Sequence, residues 1–132
     1  MRISTFLAVA ALSFAGLALT GCGPDCQSSC EKLYGDGTDR NGEPQCNIEL
    51  PGKEGAAGAQ EMTRDCVAHC EHALARNGDI GDYKPNERAS GNDEVSLDNE
   101  QQAALWMDCV EETSCVNLNP NGGGYCAPVS NF

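Results

Sequence analysis

Two pairs of cysteines with identical spacing, Cys26/Cys30 and Cys66/Cys70, constrain this chain more than any other feature. Residues four apart lie one turn apart on the same face of a helix. Leu33 and Tyr34 extend the first face, and Ala59, Met62, Val67, Ala73 and Leu74 extend the second. Gln60, Arg64 and Glu71 fall opposite, so each stretch reads as an amphipathic helix. If the two helices run antiparallel with the cysteine stripes facing, the early cysteine of one meets the late cysteine of the other. The predicted bridges are therefore Cys26–Cys70 and Cys30–Cys66. A disulfide needs Cα atoms about 4.4–6.8 Å apart, closer than the usual helix spacing of about 8–10 Å. Small neighbours such as Ser29, Ala59 and Ala73 permit that approach.

Nine cysteines are present, an odd number that leaves one to explain. Cys22 directly follows a short apolar segment, Ile3 to Leu19, which begins after Met1-Arg2 and is interrupted by Ser4, Thr5 and Ser13. A positive start, a short apolar stretch and small residues before a break describe an export signal. Leu19-Thr20-Gly21-Cys22 resembles the lipobox of bacterial lipoproteins. That resemblance implies removal of residues 1–21 and acyl chains such as palmitate on Cys22. It also implies a 22–132 domain held to a membrane, with Gly23 at the second mature position favouring the outer membrane, facing the periplasm or the cell surface. No cofactor other than this covalent lipid is expected. The plainer alternative is an ordinary secretory signal, with Cys22 as one more disulfide partner.

With Cys22 assigned to lipid, Cys26, Cys30, Cys46, Cys66, Cys70, Cys109, Cys115 and Cys126 remain. Export means an oxidising compartment, so four disulfides are the default. Beyond the two hairpin bridges, Cys46–Cys109 and Cys115–Cys126 are the preferred pairs. The region Cys26 to Cys70 resembles the twin Cys-x3-Cys helical hairpins of small oxidatively folded proteins, with a longer connection and an added C-terminal segment. The fold class that follows is mostly α: a small disulfide-rich helical domain made of a hairpin, a third helix and long irregular loops. Closing the Cys30–Cys66 loop contributes about 3–4 kcal/mol in the chain-entropy model. That is a large share of a typical net stability of about 5–15 kcal/mol.

Along the chain, the first helix is predicted over Asp25–Tyr34, capped by Asp25 and ended by Gly35 and Gly37. Residues 36–58 read as a loop tied down by Cys46. Within it, Asp39-Arg40-Asn41-Gly42 resembles positions three to six of a calcium-binding EF-hand loop. Gly37 and Ile48 would then occupy two ligand positions without an oxygen-bearing side chain, so a surface turn is the better reading. The second helix is predicted from about Ala59 to Arg76, ended by Asn77-Gly78. Residues 77–95 contain no cysteine and few apolar residues, and read as a flexible loop and a candidate partner-gripping segment. A third helix begins near Ser96 or Asp98, with Asp98-x-x-Gln101 as a capping box. Ala103, Trp106, Met107, Cys109 and Val110 form its apolar face, with Trp106 at the centre of the core.

With Arg2 removed, seven Lys and Arg face twenty Asp and Glu, a net charge of −13. This argues against nucleic acid and against peripheral binding to anionic lipid, both of which need basic patches. Chemistry is hard to place. Only His69 and His72 offer imidazole bases, and no Gly-x-Ser-x-Gly, phosphate-cradling glycine loop or His-Glu-x-x-His occurs. The expectation is no catalytic residues and no metal site. A metal-binding or thiol-redox module on Cys66, His69 and Cys70 is the rival, since thiolates and imidazoles suit zinc. A disulfide-rich inhibitor or small-ligand binder is the third reading. The leading one is a non-catalytic, membrane-anchored lipoprotein that binds a protein partner in an envelope or cell-surface assembly.

Overall fold

In the computed structural model, which describes residues 23–90 and 95–129, four helices occur in the order α1 (Cys26–Tyr34), α2 (Gly55–Leu74), α3 (Glu100–Glu112) and α4 (Cys115–Leu118). The described residues hold no strand beyond an isolated antiparallel bridge between Thr38 and Pro44. The export signal expected at 1–21 and the lipid site expected at Cys22 lie outside the described residues. Among the described residues, no helix is long and apolar enough to cross a membrane.

Helix α1 begins where the sequence says it should. Asp25 is extended (φ −124°, ψ 169°), its side chain accepts from Ser28 N–H, and Ser28 Oγ in turn accepts from Asp25 N–H at 3.0 Å. The amide of Ser28 beside the Asp25 carboxylate holds its pKa below the ordinary value. Gly35 ends the helix for a reason of space. A Cβ there would meet Gln45 Oε1 at 2.1 Å and the Glu31 carbonyl oxygen at 2.5 Å.

The two hairpin bridges form as expected, Cys26–Cys70 and Cys30–Cys66, with Cα separations of 5.7 and 5.8 Å. Ser29, Ala59 and Ala73 are buried, so small side chains do line this close contact. Helix α2 starts four residues before the predicted Ala59, because Gly55–Gly58 is helical. Gly58 is a packing glycine, since a Cβ would lie 2.0 Å from the Lys53 carbonyl oxygen. The helix also ends two residues short of Arg76. Leu74, read as part of the inward stripe, is instead 39% exposed.

Helix α3 packs against both hairpin helices. Its cap is Asn99, one residue past the predicted Asp98, with Asn99 Oδ1 accepting from the Gln101 and Gln102 amides at 3.1 Å. Glu100 N–H donates to the Arg76 carbonyl at 2.9 Å, which brings the start of α3 to the end of α2. At the other end, Lys32 Nζ donates to the Glu111 carbonyl at 2.6 Å. The three helices thus run up, down and up. Trp106 is fully buried, with Leu33, Tyr34, Met62, Val110, Leu118 and the bridge sulfurs around it in one core.

The remaining two bridges correct the expected pairs Cys46–Cys109 and Cys115–Cys126. The structure joins Cys46 to Cys115 (Cα separation 5.0 Å) and Cys109 to Cys126 (5.7 Å). The cause lies in which end each cysteine occupies. Cys46 N–H donates to the Lys32 carbonyl at 2.7 Å, at the end of α1. That end abuts the end of α3, where Cys115 opens α4. Cys109 sits earlier, on the buried face of α3 beside Trp106, whose indole N–H donates to the Cys126 carbonyl at 3.1 Å.

Candidate functional site

The C-terminal segment is the least anticipated part of the molecule. Three aromatic side chains from three different regions donate to its backbone: Tyr34 to the Val129 carbonyl, Tyr83 to Ala127 (2.6 Å), and Trp106 to Cys126. Burial pushes the Tyr34 and Tyr83 phenols above their ordinary pKa, because a phenolate would have to shed its hydration. Nothing in the spacing of these aromatics names their acceptors, so only their burial was open to sequence reasoning. The 77–95 stretch, expected as a flexible loop, carries no helix or strand at its described residues. It is tied down in several places. Cys126 N–H donates to the Pro85 carbonyl (2.8 Å), Ala89 N–H to Gly124 (3.1 Å), and Asn99 Nδ2 to Asp79 (2.9 Å).

The residues weighed for metal or redox chemistry are separated in role. Cys66 and Cys70 are fully buried and bridged to α1, so neither sulfur is a thiolate. His69 and His72 are exposed, and the Nδ1 of His69 lies 2.9 Å from the Asp65 carbonyl oxygen one turn back. No group of three or more His, Cys, Asp or Glu stands in metal-binding arrangement among the described residues. The EF-hand-like tetrapeptide is a turn. Asp39 Oδ1 accepts from the Asn41 and Glu43 amides, both at 2.8 Å, while Gly42 takes φ +83°.

Three surface grooves are candidate binding sites. One of about 610 Å³ runs between α1 and α2, lined by side chains including Gln27, Gln45, Gln60, Thr63 and Val67. A second, of about 740 Å³, lies between residues 82–89 and 95–102. The third is small, about 160 Å³, and brings Lys32 and Arg40 beside Ser29, Asp39 and Glu111. Burial draws the Lys32 pKa down, and the charges of Glu111, Glu43 and Asp39 pull partly back. None of the three is lined by a histidine or cysteine, so none pairs a nucleophile with an imidazole base.

No protein-family model matches the chain, and neither the curated proteins nor the solved structures searched yielded a match.

Proposed function

We propose that this chain is an outer-membrane lipoprotein, anchored by acyl chains on Cys22, that acts without catalysis by binding a protein in an envelope or cell-surface assembly. The observation that carries the anchor is sulfur parity. Four bridges consume all eight cysteines from Cys26 onward, and the chain has nine, so Cys22 has no thiol partner within it. A cysteine at the boundary of an export signal and spared from bridging is the residue a lipobox modifies. The binding role draws its support from the grooves, which offer hydrogen-bonding groups and charge with no nucleophile–base pair.

The anchor is tested by fatty-acid labelling of the wild-type protein and of Cys22→Ser. Label on the wild type and release of the variant from membranes support the reading, and an unlabelled wild type overturns it. Crosslinking in intact cells followed by mass spectrometry tests the binding role, with a specific protein adduct as the expected result. The rival metal or redox module needs Cys66 and Cys70 as thiols, so intact mass after alkylation separates the two. Zero free thiols fits the lipoprotein reading, and at least two fits the rival.

A further inference from the structure

Leu74 belongs by spacing to the cysteine stripe of α2, one turn beyond Cys70, yet it is 39% exposed. The bridges explain this. Cys66 stands opposite Cys30 and Cys70 opposite Cys26, so the next turn of α2 needs another turn of α1 to cover it. Helix α1 has none to offer, because Asp25 leaves it in an extended conformation. Ile80, 37% exposed, occupies the same end of the bundle: its carbonyl accepts from Gln102 Nε2 at 3.2 Å in the first turn of α3. Of three large apolar side chains exposed among the described residues, these two share the end from which the chain leads back to Cys22. The third, Val116, lies in α4 at the opposite end. Two residues, Gly23 and Pro24, separate Cys22 from Asp25, and the three steps between them reach about 10 Å in extended chain.

We propose that this end of the domain rests on the lipid surface, with Leu74 and Ile80 entering the boundary between headgroups and acyl chains. The inference rests on the lipid anchor at Cys22. Acyl chains hold the protein at the membrane, and two apolar side chains within reach of the attachment point set its orientation. The same end carries Asp25, Glu71, Asp79, Asp98 and Glu100 against Arg76. That acidic excess is repelled by anionic headgroups, so the matching surface is zwitterionic. The opposite end, with the 36–54 loop and α4, then faces away from the membrane and is open to a partner.

The test uses the full-length lipidated protein in phosphatidylcholine vesicles with and without bromine on the acyl chains. Leu74→Trp, Ile80→Trp and Val116→Trp are compared, each against wild type, whose single indole at Trp106 is fully buried and supplies a constant background. The expected result is loss of emission from the indoles at positions 74 and 80 in brominated vesicles and none from position 116. Flotation of the protein with the vesicles reads the anchor separately. If the protein floats and positions 74 and 80 are quenched no more than position 116, the docking is overturned and the anchor stands. If it does not float, both fall. Emission that ignores bromine but shifts with protein density in the vesicle assigns the face to a second copy of this chain and also overturns the lipid assignment.

Discussion

Tyr34, in the last turn of α1, donates its phenolic hydrogen to the carbonyl of Val129, 95 positions further along the chain. Both residues are buried, so the bond fastens the C-terminal segment into the core at a point where water cannot substitute. Tyr34→Phe keeps the ring and strands the carbonyl. The expected cost is about 1–3 kcal/mol, the desolvation penalty of an unpaired buried acceptor. Thermal melts followed by circular dichroism measure it, at about 4–8 °C per kcal/mol for a domain of this size. A melting temperature unchanged from wild type would place the Val129 carbonyl elsewhere.

The same burial makes stability depend on alkali. Tyr34 and Tyr83 have folded-state pKa values raised above the ordinary value of about 10. A raised pKa in the folded state means that the folded form keeps its proton after the unfolded form has lost it. Stability from these two groups is therefore complete below about pH 10 and declines as pH rises beyond it, by up to about 1.4 kcal/mol per pH unit per tyrosine. Urea midpoints should be flat with respect to these groups near neutrality and fall above about pH 10. The double variant Tyr34→Phe/Tyr83→Phe should start lower and fall less steeply. Parallel slopes in the two proteins would show that other groups govern the alkaline limb.

The bridge pattern has a direct chemical signature. In Cys46→Ala the thiol set free should be Cys115, and alkylation followed by peptide mapping should label that residue and leave Cys109 blocked. The energetic order is expected to follow loop length. Separations of 69, 36 and 17 residues for Cys46–Cys115, Cys30–Cys66 and Cys109–Cys126 correspond to about 4.4, 3.8 and 3.1 kcal/mol in the chain-entropy model. Cys30→Ala should accordingly lower the melting temperature more than Cys126→Ala.

The helical hairpin was legible because its information is local: four-residue cysteine spacing, a capping aspartate and an apolar stripe all point to one geometry. Legibility ended where a residue's role depends on what approaches it. Gly55–Gly58 reads as loop by composition, yet Gly58 is helical and makes room for the Lys53 carbonyl. The partners of Cys46, Cys109, Cys115 and Cys126 depend on loop paths that no periodicity encodes. Helix α4 is a single turn, too short to leave a pattern. The phase of α2 alone turns Leu74 inward, and its exposure comes from the place where α1 stops. Grooves formed by side chains from separate segments were invisible for the same reason.

Asn99 joins two functions in one side chain, and they can be separated. Its Oδ1 caps α3 through the Gln101 and Gln102 amides, while its Nδ2 holds the Asp79 carbonyl and so fastens the start of the long loop. Gly78 packs on it, since a Cβ there would lie 2.8 Å from Asn99 Cβ. Asn99→Ala loses both contacts and should cost about 1–2 kcal/mol through the cap alone. Asn99→Asp retains a capping oxygen and loses the donor, so most of the helix stability should return. Limited proteolysis within residues 77–90 then reads the tether independently. Cleavage should speed up in both variants, because neither can hold the Asp79 carbonyl. If Asn99→Asp is cut no faster than wild type, the loop is fastened by its links to Gly124 and Cys126, and the Asn99 tether contributes only to the helix.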